Sequence, residues 1–341
     1  MSLDIGMILC DQHPAEDDMQ ERFRELVEQV RAANELGYRT IVSGQHFLAD
    51  PMQMLQTIPI LARLAAEGPD MRFGPSILLL ANLNPVAVAE DIATLDIITG
   101  GKAFMGVALG YRDVEFDAFA VRKGQRAHRF ETNLITVRDL LAGEEVHLDE
   151  EWCRIDGKRM TLRPVQDPRP PIWVGANADA ALRRAARLGD TWVINPHAKL
   201  DVLVRQMEDV YRPALREFDR PDPAELPIRR EIFVGEDRED AIRRAAPWLM
   251  PKYATYTQWG QAKVMPSDDS WADEFEELIE DRFILGSPEE CIREIDRYRE
   301  ELGVTEIVVR VQWNGMPQDL AMENLRRIGE TIIPHYAKQG S

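Results

Sequence analysis

Two short, unbroken apolar runs joined by a helical stretch limit what this chain can fold into more than any other feature. Both lie within residues 71–119. The first, residues 73–80, is bounded by polar residues and too brief for a typical helix. Asn84-Pro85 then supplies a helix N-cap and a first-turn proline. Val86, Ala89, Ile92, Ala93 and Leu95 follow at roughly helical spacing, and Thr99-Gly100-Gly101-Lys102 ends the helix. Residues 103–109 form the second run. Strands that are apolar along their whole length have both faces covered, so the pattern predicts a βαβ unit of a parallel sheet.

The alternation runs through the chain. Strands are expected over residues 3–10, 39–43, 73–80, 103–109, 171–175, 191–194, 228–234 and 306–311. Helices are expected over 19–36, 52–66, 126–141, 178–188, 199–218, 237–249 and 288–302. The last opens on Ser287-Pro288-Glu289-Glu290, a capping box with proline in the first turn. This is an α/β pattern. It favours a single (β/α)8 TIM barrel over residues 1–341, with a doubly wound sheet as the runner-up, weakened by the lack of an early GxGxxG. Two segments break the rhythm. Residues 143–170, rich in charge, Gly and Pro, read as a small β-excursion. Residues 250–285 read as an irregular, lid-like insertion holding Tyr253, Tyr256, Trp259 and Trp271; the aromatics either line a substrate site or anchor the loop.

A net charge of −18 argues against nucleic acid or an anionic membrane surface as partner. No apolar run approaches the ~18–20 residues of a membrane span, and the first residues lack a signal-peptide pattern. Cys10, Cys153 and Cys291 are odd in number and far apart, which fits reduced thiols in the cytoplasm and no metal site. With no GxSxG, P-loop, HExxH or CxxC, hydrolase, NTPase and zinc-enzyme readings have no anchor.

In a barrel, chemistry sits just after the strands. His46, in Gly44-Gln45-His46-Phe47, is the sharpest candidate: a strand-end imidazole exchanges protons near neutral pH. By itself it is as well explained as a histidine satisfied by a neighbouring carbonyl. Gly175-Ala176-Asn177-Ala178 closes a strand and opens a helix. The free N–H groups there make a phosphate site without any basic side chain, although an ordinary helix capped by Asn177 accounts for the same residues.

Taken in order, these segments resemble the bacterial luciferase-like flavin oxidoreductases. The likeness rests on Leu95-Asp96, Thr99-Gly100-Gly101 and the strand closing on Gly106 and Gly110, on Gln45-His46-Phe47, and on the strand before Gly175. It implies a catalytic role for His46. It also implies FMN contacts at Leu80, Ala81 and Asn82 (where relatives carry a non-prolyl cis peptide), at Gly110 and Arg126, and at Gly175, Ala176, Asn177 and Ala178. Gln45, Asn195, Tyr253, Trp259 and Trp313 are the expected substrate-pocket residues. The implied activity is a flavin-dependent monooxygenase acting with oxygen on a small or medium organic substrate. Its reduced FMN comes from a separate flavin reductase, a transient partner. Gln45 departs from the paired-histidine version, which keeps a deazaflavin-dependent dehydrogenase or reductase open, and also a flavin-binding protein without turnover. A homodimer is expected, through helices over 19–36 and 87–98.

Overall fold

A computed structural model describes residues 3–265 and 275–337. Eight parallel strands carry the fold: β1 (Asp4–Ile8), β2 (Thr40–Ser43), β3 (Arg72–Pro75), β4 (Met105–Ala108), β5 (Ile172–Gly175), β6 (Thr191–Val193), β7 (Pro227–Val234) and β8 (Glu306–Arg310). β8, β1, β2 and β3 pair in that order, and β7 pairs with β8. β4, β5 and β6 form a second run. Two bridges join the runs into a ring, Phe73 to Ala103 and Ile194 to Ile228. At these seams the Phe104 amide donates to the Phe73 carbonyl (3.3 Å) and the Ile194 amide to that of Pro227 (2.9 Å). The single (β/α)8 barrel read from the sequence is the fold observed.

Inside the ring, Ile8, Val42, Phe104, Trp173, Val193 and Val308 pack together, with the Phe104 and Trp173 rings stacked at 3.9 Å. Each expected signal of the central βαβ unit has a local cause. The Asn84 side chain caps helix Pro85–Ile98 by accepting from the Val86 amide at 2.9 Å. Gly100 and Gly101 turn the chain with φ of 65° and 83°, where side chains are disfavoured. Asp96 is fully buried and accepts from Ala103, Val165 and Gln166, so it holds the helix end to the next strand.

Three expected elements differ. The run at 73–80 is not one strand: β3 ends at Pro75, the Ser76–Ile77 peptide is cis, Leu78–Leu79 pairs with β4, and Leu80–Asn82 makes one 3-10 turn. Residues 52–66 are not one helix. Met52–Met54 pairs antiparallel with Gln12–Pro14, because the Gln53 amide bonds the carbonyls of Pro14, Ala15 and Asp17; the helix begins at Thr57. Helix Arg238–Gln258 runs nine residues past the expected end. Its prolines, Pro247 and Pro251, are four apart and both exposed, so water satisfies the carbonyls they leave free.

The excursion at 143–170 contains an antiparallel hairpin, Val146–Glu150 with Cys153–Lys158. The segment at 250–285 is more regular than expected: Tyr253 and Tyr256 lie on helix Arg238–Gln258, and Ile284–Gly286 adds a strand beside the end of β7. Trp271 lies outside the described residues. Among the described residues no helix is long and apolar enough to cross a membrane, and no cluster of metal-ligating side chains occurs.

Candidate active site

A cavity of about 280 Å³ opens at the carboxyl ends of the strands, close to the lower bound of about 300 Å³ for small-molecule sites. Gln45, His46, Gly110, Arg126, Gly175, Ala176, Asn177, Ala178 and Asn195 all line it. The remaining expected residues do not. Leu80, Ala81 and Asn82 are buried in the 3-10 turn behind it, where the Asn133 amide holds the Leu80 carbonyl. The cis bulge on the cavity wall is Ser76–Ile77, four residues earlier. Trp313 is buried in a separate cluster with Phe233 and donates to Glu231 at 2.6 Å. Tyr253 is buried beside His197, 3.2 Å from its Nδ1. Trp259 stands behind His46 rather than on the wall.

His46 leaves β2 on a loop held by a residue the sequence did not single out. Its Nδ1 lies 2.9 Å from Glu115 Oε1, which also accepts from the Phe47 amide at 3.0 Å and from Arg112 at 3.3 Å. A carboxylate only accepts, so Nδ1 carries the hydrogen and Nε2 remains for proton exchange. Glu115 is fully buried on the short helix Asp113–Ala118. The rings of Tyr111, Tyr256 and Trp259 stand edge-on around the imidazole, with centroids at 5.8, 6.3 and 5.2 Å. Arg112 closes this wall from behind, its guanidinium carbon 4.0 Å from the centre of the Trp259 ring.

The bulge is built around two expected residues. A side chain at Gly106 would place its Cβ 2.3 Å from the Pro75 carbonyl oxygen, so only glycine lets the chain cross there. Gln45 Oε1 accepts from the Leu79 amide at 3.0 Å, which ties the end of β2 to the segment beyond the bulge.

After β5 the chain turns into helix Asp179–Leu188. Its N-cap is Ala178 rather than Asn177, and no side chain caps it. The Asn177 carboxamide oxygen instead accepts from the Asn195 amide. The first N–H groups of the helix are therefore left open beside small residues on the cavity wall. Arg126 lies on the same wall and, among the described residues, has no carboxylate partner. Uncapped amides, small side chains and a spare guanidinium fit a phosphate monoester such as that of FMN.

Toward β7, β8 and β1 the wall becomes polar, with Arg229, Arg310, Lys252, His197 and Tyr256. Behind it, Glu231 is fully buried, accepts from Lys252 and lies 3.8 Å from Arg310. Burial pushes the Lys252 amine down to about 8, opposed by Glu231. Burial also drives His197 well below its usual range, helped by the surrounding cations, so it is neutral. Burial would raise Glu231, but Lys252 and Arg310 outweigh it and hold the carboxyl below its ordinary value. The sequence did carry a signal for part of this group: Arg229, Arg230 and Glu231 put three charges in a row inside a strand, and Arg229 and Glu231, two apart, share one face.

Comparison with known proteins shows what the chain as a whole is similar to. The family profile described as luciferase-like monooxygenase matches residues 3–306. The oxygenase component of a flavin-dependent trigonelline monooxygenase from Acinetobacter baylyi is 23% identical over 339 residues, covering 94% of this chain and 91% of that protein. An F420-dependent glucose-6-phosphate dehydrogenase from Nakamurella multipartita is 25% identical over 322 residues, covering 91% of each. Among solved structures, monooxygenase RslO1 from Streptomyces bottropensis superposes with a TM-score of 0.86 at 22% identity, over 98% of this chain and 100% of that one.

Proposed function

The chain belongs to the luciferase-like monooxygenase family, and from that premise we propose that it is an FMN-dependent monooxygenase. The family contains both flavin-dependent oxygenases and F420-dependent dehydrogenases, so oxidoreductase chemistry is common ground. The observation that carries the finer reading is the joint placement of an uncapped helix N-terminus and a carboxylate-held imidazole on one cavity wall.

In this reading the amides at the start of helix Asp179–Leu188 and Arg126 bind the FMN phosphate, whose negative charge the positive end of the helix dipole favours. Bound reduced FMN supplies the electrons for oxygen activation. Glu115 fixes the His46 tautomer, and His46 Nε2 holds or delivers a proton inside the cavity. Tyr111, Tyr256 and Trp259 keep water from that nitrogen. Reduced FMN arrives from a separate reductase, and the substrate is a small or medium organic molecule. The exposed Ile97 and Ile98 on helix Pro85–Ile98 support a homodimer through that face.

A second reading, hydride transfer with a deazaflavin, is favoured by Gln45: a glutamine whose carboxamide oxygen accepts from Leu79 stands beside His46, which among the described residues is the one imidazole at this point of the wall.

Fluorescence titration of the protein with oxidised FMN and with F420, followed by mixing the reduced complex with oxygen, tests the choice. The monooxygenase reading expects tighter FMN binding and an oxygen reaction that differs from that of free reduced FMN. It also expects His46→Ala to slow the proton-dependent phase by roughly 10²-fold or more while FMN affinity holds. Tighter F420 binding with hydride transfer under anaerobic conditions overturns it in favour of the second reading.

A further inference from the structure

We propose that the substrate of this site carries a carboxylate, seated on the guanidinium of Arg229 at the β7–β8 end of the cavity. The inference rests on the flavin reading, because it assigns the part of the cavity that the phosphate end leaves. The two ends differ in chemistry. The β4–β5 end offers small residues, open amides and Arg126. The other end, carried by β7, β8 and helix Arg238–Gln258, presents Arg229, Arg310 and Lys252.

Two carboxylates stand near those three cations, and both are already committed. Glu231 accepts from Lys252 and from the Trp313 indole, and it faces Arg310. Asp11 accepts from the Ser43 hydroxyl at 2.6 Å and the Gly44 amide at 3.1 Å. Arg229 is the cation left over: among the described residues no carboxylate pairs with it. Its Nη1 donates to the Ser76 carbonyl at 2.6 Å, and its Nε is buried without a partner. The Ser76 hydroxyl beside it is also buried, lines the cavity and has no partner. Burial, with Arg310 nearby, pushes the Arg229 guanidinium down to about 10, as expected of a partly desolvated cation with no paired carboxylate.

A guanidinium presents a planar fork that matches a carboxylate through two parallel hydrogen bonds. A neutral amide or alcohol of the same size fills the space and leaves the charge uncompensated. The same logic gives the site a preference for an anion over a neutral isostere, and the adjacent Ser76 hydroxyl offers that anion a further donor.

The test uses benzoate and acetate as probes, with benzamide and acetamide as their neutral counterparts, titrated calorimetrically into the protein with and without FMN. The wild type is expected to bind at least one carboxylate saturably and its amide far more weakly. Arg229→Gln is expected to weaken carboxylate binding roughly thirtyfold or more, Arg229→Lys to retain more of it, and FMN affinity to stay at the wild-type value. The proposal is overturned if neither carboxylate binds, if the amides bind as well, or if Arg229→Gln lowers FMN affinity and spares the carboxylate. Should Arg229→Gln fail to fold, the carboxylate–amide comparison on the wild type and the Arg229→Lys variant decide the matter. Carboxylate discrimination in a protein that binds no FMN overturns the flavin reading alone.

Discussion

Replacing Glu231 by Gln probes the buried charge group that shapes the polar end of the cavity. Glu231 is fully buried, and it is the carboxylate that Lys252 contacts; Lys252 is itself 6% exposed. The substitution keeps the shape and an acceptor for the Trp313 indole but removes the negative charge, leaving an ammonium in a dry site. Breaking a buried pair from one side costs about 3–5 kcal/mol. For a chain of this length that corresponds to a fall in apparent melting temperature of about 4–7 °C. The penalty has a sign in pH. Without its partner, Lys252 has a folded-state pKa further below its ordinary value of 10.5, so raising the pH toward that value lets it shed the proton and relieves the cost. Glu231→Gln is therefore expected to be most damaging near pH 7 and milder near pH 9.5, and Glu231→Gln with Lys252→Met is expected to recover most of the loss. Thermal denaturation at both pH values measures this. A single variant that melts with the wild type at pH 7, or a double variant no better than the single, refutes the reasoning.

Other consequences can be read at the opposite end of the barrel and at the bulge. Burial pushes the Glu306 carboxyl up to about 7, against the attraction of Arg72 at 3.5 Å. Its folded pKa exceeds the unfolded one, so its contribution is present below about pH 4.5 and lost as pH rises through about 7. Glu306→Gln is then expected to stabilise the protein at pH 8 by up to about 3 kcal/mol and to be nearly neutral at pH 5; equal effects at both, by urea denaturation, contradict it. Gly106→Ala, whose Cβ would meet the Pro75 oxygen at 2.3 Å, is expected to cost about 1–3 kcal/mol and to weaken FMN binding by displacing the bulge. Gly124→Ala, with open space around its Cβ, is the control that leaves both unchanged.

The strands and most helices were legible because a buried parallel strand is largely apolar on both faces, and residues 103–109 or 171–175 have few other uses. The bulge was not, because a cis peptide at Ser76–Ile77 leaves no mark on composition: the run from Phe73 to Leu80 stays apolar across it. The end of helix Arg238–Gln258 was hidden by Pro247 and Pro251, which stop helices only where their freed carbonyls cannot reach water. In the site, glycine and small-residue positions such as Gly110 and Gly175 were readable from local turns. Glu115 was not, since its pairing with His46 is made by the fold across 69 residues. Arg229 and Glu231 were within reach, as two of three consecutive charges in a strand whose flanking residues are apolar.

The central claim is that the turn after β5 is held open for the cofactor's phosphate. Ala178→Asp tests it most directly, because the two expected effects have opposite signs. An aspartate at this uncapped N-cap position satisfies a free amide and is expected to stabilise the protein by about 0.5–2 kcal/mol. The same carboxylate takes the phosphate's donors and repels its charge, so FMN affinity by fluorescence quenching is expected to fall about tenfold or more. A variant that is more stable and binds FMN weakly supports the account. A variant that is more stable and binds FMN as tightly as the wild type contradicts it and places the phosphate elsewhere.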